Sequence, residues 1–164
     1  MPISGQKDAN QVAIVVRDLD ASMARYVDKL GIGPWKVYTY GPEMLHSMTY
    51  RGEPASYVME LAIAFTGDTM WELIESVEGP NIYEEFLNEH GEGLHHLGYY
   101  VGDLDKEIAT MAALGYPLLQ SGKGFGVEND GGYAYFDTAA DLGCIIEAIE
   151  PGTEFREPER VFPE

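Results

Sequence analysis

Four polar side chains stand where apolar strands would be expected to stay apolar. Glu72 sits among Met70, Trp71, Leu73 and Ile74, and Glu147 among Cys144, Ile145, Ile146 and Ile149. An ionised carboxylate in such surroundings is costly unless it is paired or bound to a metal. Gln11 and His96 each open a further apolar run, Val12 to Val16 and Leu97 to Val101. Two carboxylates, an imidazole and an amide make a nitrogen and oxygen ligand set. It suits a divalent ion that keeps positions open for water or substrate. The chemistry that follows is polarisation of a substrate carbonyl, with a carboxylate moving a proton at the adjacent carbon. Glu147 is the first candidate for ligand and base together, and Glu72 is its counterpart. Glu53 and Glu60 are further acids that could serve as a separate base. Taken singly, each acid reads equally well as a surface carboxylate, and Gln11 alone says nothing. Their matched positions give them weight.

Those positions come from an internal repeat. Gln11 to Asp20 (QVAIVVRDLD) aligns without gaps on His96 to Asp105 (HLGYYVGDLD), and Glu72-Leu-Ile-Glu75 on Glu147-Ala-Ile-Glu150. Each half opens on a short apolar strand and an Asp-rich turn. A helix follows, with Met23, Tyr26, Val27 and Leu30 at i, i+3, i+4 and i+7 in the first, and Ile108, Met111 and Ala112 in the second. Asp18 and Asp103 are placed to cap these helices. Strands are expected over Trp35 to Tyr40, Tyr57 to Phe65 and Thr69 to Ser76, then over Pro117 to Gln120, Gly132 to Phe136 and Cys144 to Ile149. The chain therefore divides into a first module over 1–78, a linking helix within 79–93, a second module over 94–150 and an extended surface tail over 151–164. By the period-two rule Glu75 and Glu150 face away from Glu72 and Glu147, toward solvent. The same rule leaves His95 at the rim or behind His96. Gly122-Lys-Gly-Phe-Gly126 has phosphate-loop spacing without the strand and helix such a loop needs, and reads as a flexible hairpin or lid. His46 and His90 read as solvent-facing. Some of the eleven Tyr could line an aromatic pocket.

Composition narrows the partners. Ten Lys and Arg against 28 Asp and Glu give a net charge of −18 over 164 residues. That disfavours nucleic acid and anionic membrane surfaces, which both need clustered cations. The single Cys144 forms no intrachain disulfide and no thiolate cluster. No apolar run reaches a membrane span, and the opening residues MPISGQKDAN lack a signal-peptide core, so a cytoplasmic protein is expected.

On the two openings, QVAIVVRDLD and HHLGYYVGDLD, and the two endings, WELIES and CIIEAIE, the chain resembles the vicinal oxygen chelate superfamily over about residues 10–150. That superfamily includes glyoxalase I, methylmalonyl-CoA epimerase and extradiol dioxygenases. The resemblance implies an α+β fold of two βαβββ modules, an eight-stranded cup around a metal. Ligands from the first and last strand of each module would be Gln11, Glu72, His96 and Glu147. It further implies Zn, Ni, Co, Mn or Fe, with Zn favoured, a homodimer, and a metal-dependent isomerase, epimerase or lyase acting on a small carbonyl substrate. Many members carry His where this chain has Gln11, though the Gln, Glu, His, Glu set matches one known among glyoxalase I enzymes. No Arg precedes Arg17 in the first strand to clamp glutathione carboxylates, and coenzyme A phosphates sit badly with the net charge. A weakly anionic or aromatic carbonyl compound fits better. The alternatives are a ring-cleaving dioxygenase, which would want a second His, and a binding protein that needs no ligand set.

Overall fold

In the computed structural model, residues 7–164 are described, so residues 1–6 of the opening MPISGQKDAN lie outside them. The elements run β1 (Gln11–Val16), α1 (Leu19–Leu30), β2 (Trp35–Tyr40), β3 (His46–Tyr50), β4 (Glu53–Pro54), β5 (Val58–Thr66) and β6 (Thr69–Glu78). After α2 (Ile82–His90) come β7 (Gly93–Tyr100), α3 (Leu104–Ala113), β8 (Leu118–Phe125), β9 (Gly131–Phe136), α4 (Ala139–Leu142), β10 (Ile145–Glu150) and β11 (Arg160–Phe162).

All strands join one curled sheet in the order β11-β2-β5-β6-β1-β7-β10-β9-β8-β3-β4. The middle eight are the repeated strands. They meet at the centre, where β1 pairs antiparallel with β7. Within each half the first strand runs parallel to the last, β1 with β6 and β7 with β10. Three strands lie outside the eight-stranded expectation. The β3–β4 hairpin leaves the first half and pairs with β8 of the second. The tail adds β11 to the edge of β2 and is no loose surface segment. Gly122 to Phe125 lie inside β8 and are largely buried, so this stretch is a wall and not a lid. The free edges are therefore two very short strands, β11 and β4, which offer little unpaired backbone to another chain.

The helices are held by side chains at equivalent places. Asp18 Oδ1 accepts from Ala21 N–H and Asp103 Oδ1 from Lys106 N–H, capping α1 and α3. Gly31, at φ 67°, ends α1 in the left-handed region, where its N–H returns to the Val27 carbonyl. Glu75 and Glu150 do not face solvent freely. Glu75 Oε2 accepts from Leu19 N–H at 2.7 Å and Glu150 Oε2 from Leu104 N–H at 3.0 Å. Each last strand thus holds the first residue of its own module's helix, and a carboxylate there also complements the helix dipole. Both helices seal the outer face over small apolar clusters, one around Trp35 and Leu73, the other around Phe136 and Ala148. The larger cluster fills the inside of the curl, with α2 plugging one end through Ile82, Tyr83 and Leu87. Among the described residues no helix is long and apolar enough to cross a membrane.

Candidate metal centre

Pairing register brings the four candidates together. Ala13 lies opposite Glu72 on one side and opposite His96 on the other. Gly98 lies between Gln11 and Glu147 in the same way. Residues opposite one another share a face, and so do residues two apart along a strand. Gln11, Glu72, His96 and Glu147 therefore all project into the curl, around two small residues of the central strands, Ala13 and Gly98. Ala13 and Gly98 are repeat equivalents of each other. A Cβ at Gly98 would come within 2.7 Å of Gln11 Oε1, so its absence makes the space the amide occupies.

The four groups are buried and close. His96 Nε2 lies 3.0 Å from Gln11 Oε1, 3.0 Å from Glu147 Oε2 and 3.7 Å from Glu72 Oε2. Ligand atoms of Glu72, His96 and Glu147 all fall within 4.8 Å of one another. Glu147 Oε2 is buried without a hydrogen bond of good geometry. Gln11 Nε2 turns away to Met70 Sδ at 3.4 Å, which leaves its oxygen facing the imidazole. Acceptor atoms thus converge on a point that a divalent cation would satisfy, and the donor set fits one.

Burial dominates the electrostatics. It pushes Glu147 up to about 8, against the pull of the Tyr135 hydroxyl, and raises Glu72 well above the usual carboxylate range, with the Glu147 charge adding to the effect. Burial draws His96 down to about 3. Without a cation the acids are held toward their neutral forms, and a cation would displace those protons.

Around the site the curl encloses a cavity with about 80 Å³ open to the centres of water molecules. Met59, Leu61 and Ile63 of β5 line one wall, and Phe125, Tyr133 and Ile149 the other. Gly122 makes room for the second wall, since a Cβ there would meet Tyr133 Oη at 2.5 Å. Behind this wall the hydroxyls of Tyr57 and Tyr133 lie 2.7 Å apart, and those of Tyr83 and Tyr135 2.8 Å. The mouth is bordered by the tail. Thr153 N–H donates to Asp130 and Arg156 Nε to the Gly126 carbonyl, while Phe155 packs on Tyr38. Among the described residues no Lys or Arg lines the cavity, and Glu154 stands at its rim.

The other sequence candidates fall elsewhere. Glu60 lies on the outer side of β5 and pairs with Arg160 at 3.1 Å, and Glu53 is exposed in the β3–β4 hairpin. Neither reaches the cavity as a base. His95 is buried and so not at the rim, with its Nδ1 at 2.8 Å from His96 Nδ1. His46 is exposed, and His90 stacks on Phe86. Sequence reading passed over Ala13, Gly98 and the tail residues at the mouth. The small pair was signalled by the repeat, and the tail by nothing in its sequence.

Comparison with known proteins agrees with this architecture. Residues 10–136 match the family model described as Glyoxalase/Bleomycin resistance protein/Dioxygenase superfamily. Uncharacterized protein YwkD of Bacillus subtilis (strain 168) is 30% identical over 105 residues, spanning 64% of this chain and 70% of that one. The crystal structure of methylmalonyl-CoA epimerase from Mycobacterium tuberculosis superposes with a TM-score of 0.61 at 22% identity, over 87% of this chain and 86% of the other. Hypothetical protein BH1468 from Bacillus halodurans C-125 gives 0.63 at 17%, over 93% and 100%. A Streptomyces coelicolor methylmalonyl-CoA epimerase in complex with 2-nitronate-propionyl-CoA gives 0.62 at 20%, over 92% and 97%. With paired modules, one central pairing and a model match over most of its length, the chain belongs to the glyoxalase/bleomycin resistance protein/dioxygenase superfamily.

Proposed function

We propose that this protein is a metal-dependent isomerase, epimerase or lyase that binds a small carbonyl substrate and transfers a proton at the carbon next to the carbonyl. The observation that carries the reading is the convergence of Gln11 Oε1, His96 Nε2 and Glu147 Oε2 within 3.0 Å contacts, with Glu72 beside them, in a buried cup. These four residues would hold a divalent ion, Zn²⁺ before Ni²⁺, Co²⁺, Mn²⁺ or Fe²⁺. Bound there, the ion would supply Lewis acidity to the substrate carbonyl.

The chain's own residues do the rest. Glu147 takes and returns the proton, because its carboxylate lines the cavity and its Oε2 has no hydrogen-bond partner there. Glu72 is the alternative base by its equivalent position. The walls exclude water from the reacting carbon.

The lining argues for the substrate class. A coenzyme A derivative such as the 2-nitronate-propionyl-CoA held by the Streptomyces coelicolor epimerase carries phosphates that need cations. Here, among the described residues, the cavity has apolar and aromatic walls, three acids and no Lys or Arg. A neutral or weakly anionic aliphatic or aromatic carbonyl compound suits it. We also propose a homodimer, on the family resemblance, with light scattering as its check.

The test is solvent exchange. Protein reconstituted with Zn²⁺ is incubated in deuterated water with a panel of small ketones, hydroxyketones and thioesters, and deuterium at the α-carbon is read by NMR. Incorporation that disappears with a chelator supports the reading. No incorporation with any compound, in protein that holds the metal, overturns it. Oxygen uptake with catechols would instead favour a ring-cleaving dioxygenase, and tight binding without turnover a carrier protein.

A further inference from the structure

Two phenols in the wall of the cup have no acceptor among the described residues. We propose that Tyr40 and Tyr100 orient the substrate, each donating a hydrogen bond to an uncharged oxygen that it carries beyond its metal-facing carbonyl. The substrate is then an apolar compound with two oxygen functions. The proposal deepens the carbonyl-binding reading and rests on it.

Hydrogen bonding sets these two hydroxyls apart. Four tyrosines line the cavity, Tyr40, Tyr100, Tyr133 and Tyr135. The hydroxyls of Tyr133 and Tyr135 are bonded to those of Tyr57 and Tyr83. Among the described residues the hydroxyls of Tyr40 and Tyr100 have no partner, and the bond from Tyr100 to Asn10 Oδ1 comes from its backbone N–H. Tyr40 is only 7% exposed, and its ring stacks on Phe125 across the curl, at 5.7 Å between centroids and 18° between planes. A polar group so buried needs a partner, and the cavity it lines is where one can enter. Tyr100 stands opposite Ile149, which lines the same cavity, and two residues past Gly98, so its side chain shares their face. Its 39% exposure places it toward the mouth.

The chemistry of the wall narrows what they bind. Glu72, Glu147 and Glu154 only accept once ionised, and Gln11 Nε2 is turned to Met70 Sδ. Among the described residues no Lys or Arg lines the cavity, so the two phenols are its free side-chain donors. Burial raises both above the ordinary phenol range, and the charges of Glu72 and Glu147 add to it, so both stay protonated at neutral pH. A carboxylate or phosphate on the substrate would meet the three acids with no cation beside it. A keto, ester or ether oxygen accepts from a phenol and brings no charge. Met59, Leu61, Ile63 and Ile149 suit an apolar body between the two oxygen functions. Tyr40 comes from the first module and Tyr100 from the second, so both halves would hold one substrate.

Acetonylacetone and methyl butyl ketone test this, since they share one carbon chain and differ by the second carbonyl. Each is titrated into Zn²⁺-loaded and metal-free protein with ¹³C at tyrosine Cζ, whose shift follows the hydrogen bond of the hydroxyl. Tyr40→Phe and Tyr100→Phe assign the signals and are titrated in the same way. In wild type the diketone should bind ~3–10-fold more tightly than the monoketone, the scale of one net hydrogen bond, and should move both Cζ signals. Each Phe variant should weaken the diketone and leave the monoketone unchanged, a split that a merely structural role would not give. Equal affinity of the two ketones in wild type overturns the proposal, as do variants that weaken both alike, or no binding of either. The wild-type comparison decides even if a variant fails to fold. A preferred diketone that moves both signals, with the same affinity whether or not Zn²⁺ is added, sinks the metal reading and leaves the donor role standing.

Discussion

Gly98 lies directly opposite Gln11 across the central strand pair, and a Cβ on it would stand 2.7 Å from Gln11 Oε1 and 3.0 Å from Ile149 Cδ1. The hydrogen of Gly98 is thus part of the site's shape. Gly98→Ala should push the Gln11 amide out of line while the strands stay paired, because the three atoms it would meet, Gln11 Oε1 and Cβ and Ile149 Cδ1, all belong to side chains. The expected result is Zn²⁺ affinity reduced ~10–100-fold, as for other residues that orient ligands. Titration with a competing chelator measures it, alongside circular dichroism to check the fold. Unchanged affinity in the folded variant would mean that Gln11 is not a ligand.

Much of this was readable before any coordinates. The repeat located Glu72 against Glu147 and Gln11 against His96, because equal positions in two modules force equal places in a sheet with a pseudo-twofold centre. It also contained the Ala13 and Gly98 equivalence, which only acquires meaning once the β1–β7 pairing is known. That pairing joins residues 78 to 87 apart in the chain, and strand periodicity carries no information about which strands become neighbours. The solvent assignment of Glu75 and Glu150 failed for a related reason. Period two correctly put them on the other face, but a helix folds back onto that face in each module. The tail's role at the mouth depends on Asp130 and Gly126 far upstream, and its Pro and charge content reads the same for a loose segment.

Glu75 and Glu150 give a stability prediction that is separate from the site. Each accepts the first backbone N–H of its helix, so Glu75→Ala should cost about 1 kcal/mol and Glu75→Gln less, since an amide oxygen can still accept. Glu150→Ala should behave alike through Leu104. Urea denaturation measures both. Variants as stable as wild type would show that water replaces the carboxylate at no loss.

Stability of the metal-free protein should depend on pH in a defined direction. Burial pushes Glu147 up to about 8 from an ordinary 4.5, so between these values the folded chain holds a proton that the unfolded chain has lost. Stability is then full below about 4.5 and drains away as pH rises through about 8. His96 works the other way, being lowered to about 3 from 6.5, but it is neutral in both states above 6.5 and drops out there. From pH 6.5 to 8 the chelator-treated protein should therefore lose about 2 kcal/mol, at about 1.4 kcal/mol per unit. Glu72 shifts in the same direction and adds to the fall. Zn²⁺ should flatten or reverse the trend, since it binds the deprotonated acids. Urea midpoints at the two pH values, with and without the ion, are the measurement. Rising stability in the metal-free protein would mean that these carboxylates are not neutral in the fold.

Glu147 and Gln11 touch the same imidazole nitrogen at 3.0 Å, yet they should answer substitution differently. Glu147→Gln keeps volume and an oxygen for the ion, so metal content should survive in part. An amide cannot take a proton at neutral pH, so α-proton exchange should fall ~10²–10⁴-fold, the usual contribution of a positioned base. Gln11→Glu keeps an oxygen donor and adds charge beside the ion, so it should hold Zn²⁺ at least as well and retain most exchange. The pair separates a base from a plain ligand, provided metal content is measured on the same samples by elemental analysis. Full exchange in metal-loaded Glu147→Gln would move the base to Glu72, whose own Gln variant should then show the loss. Equal losses in Glu147→Gln and Gln11→Glu, with the metal retained in both, would mean that the charge balance of the site matters and no single carboxylate carries the proton.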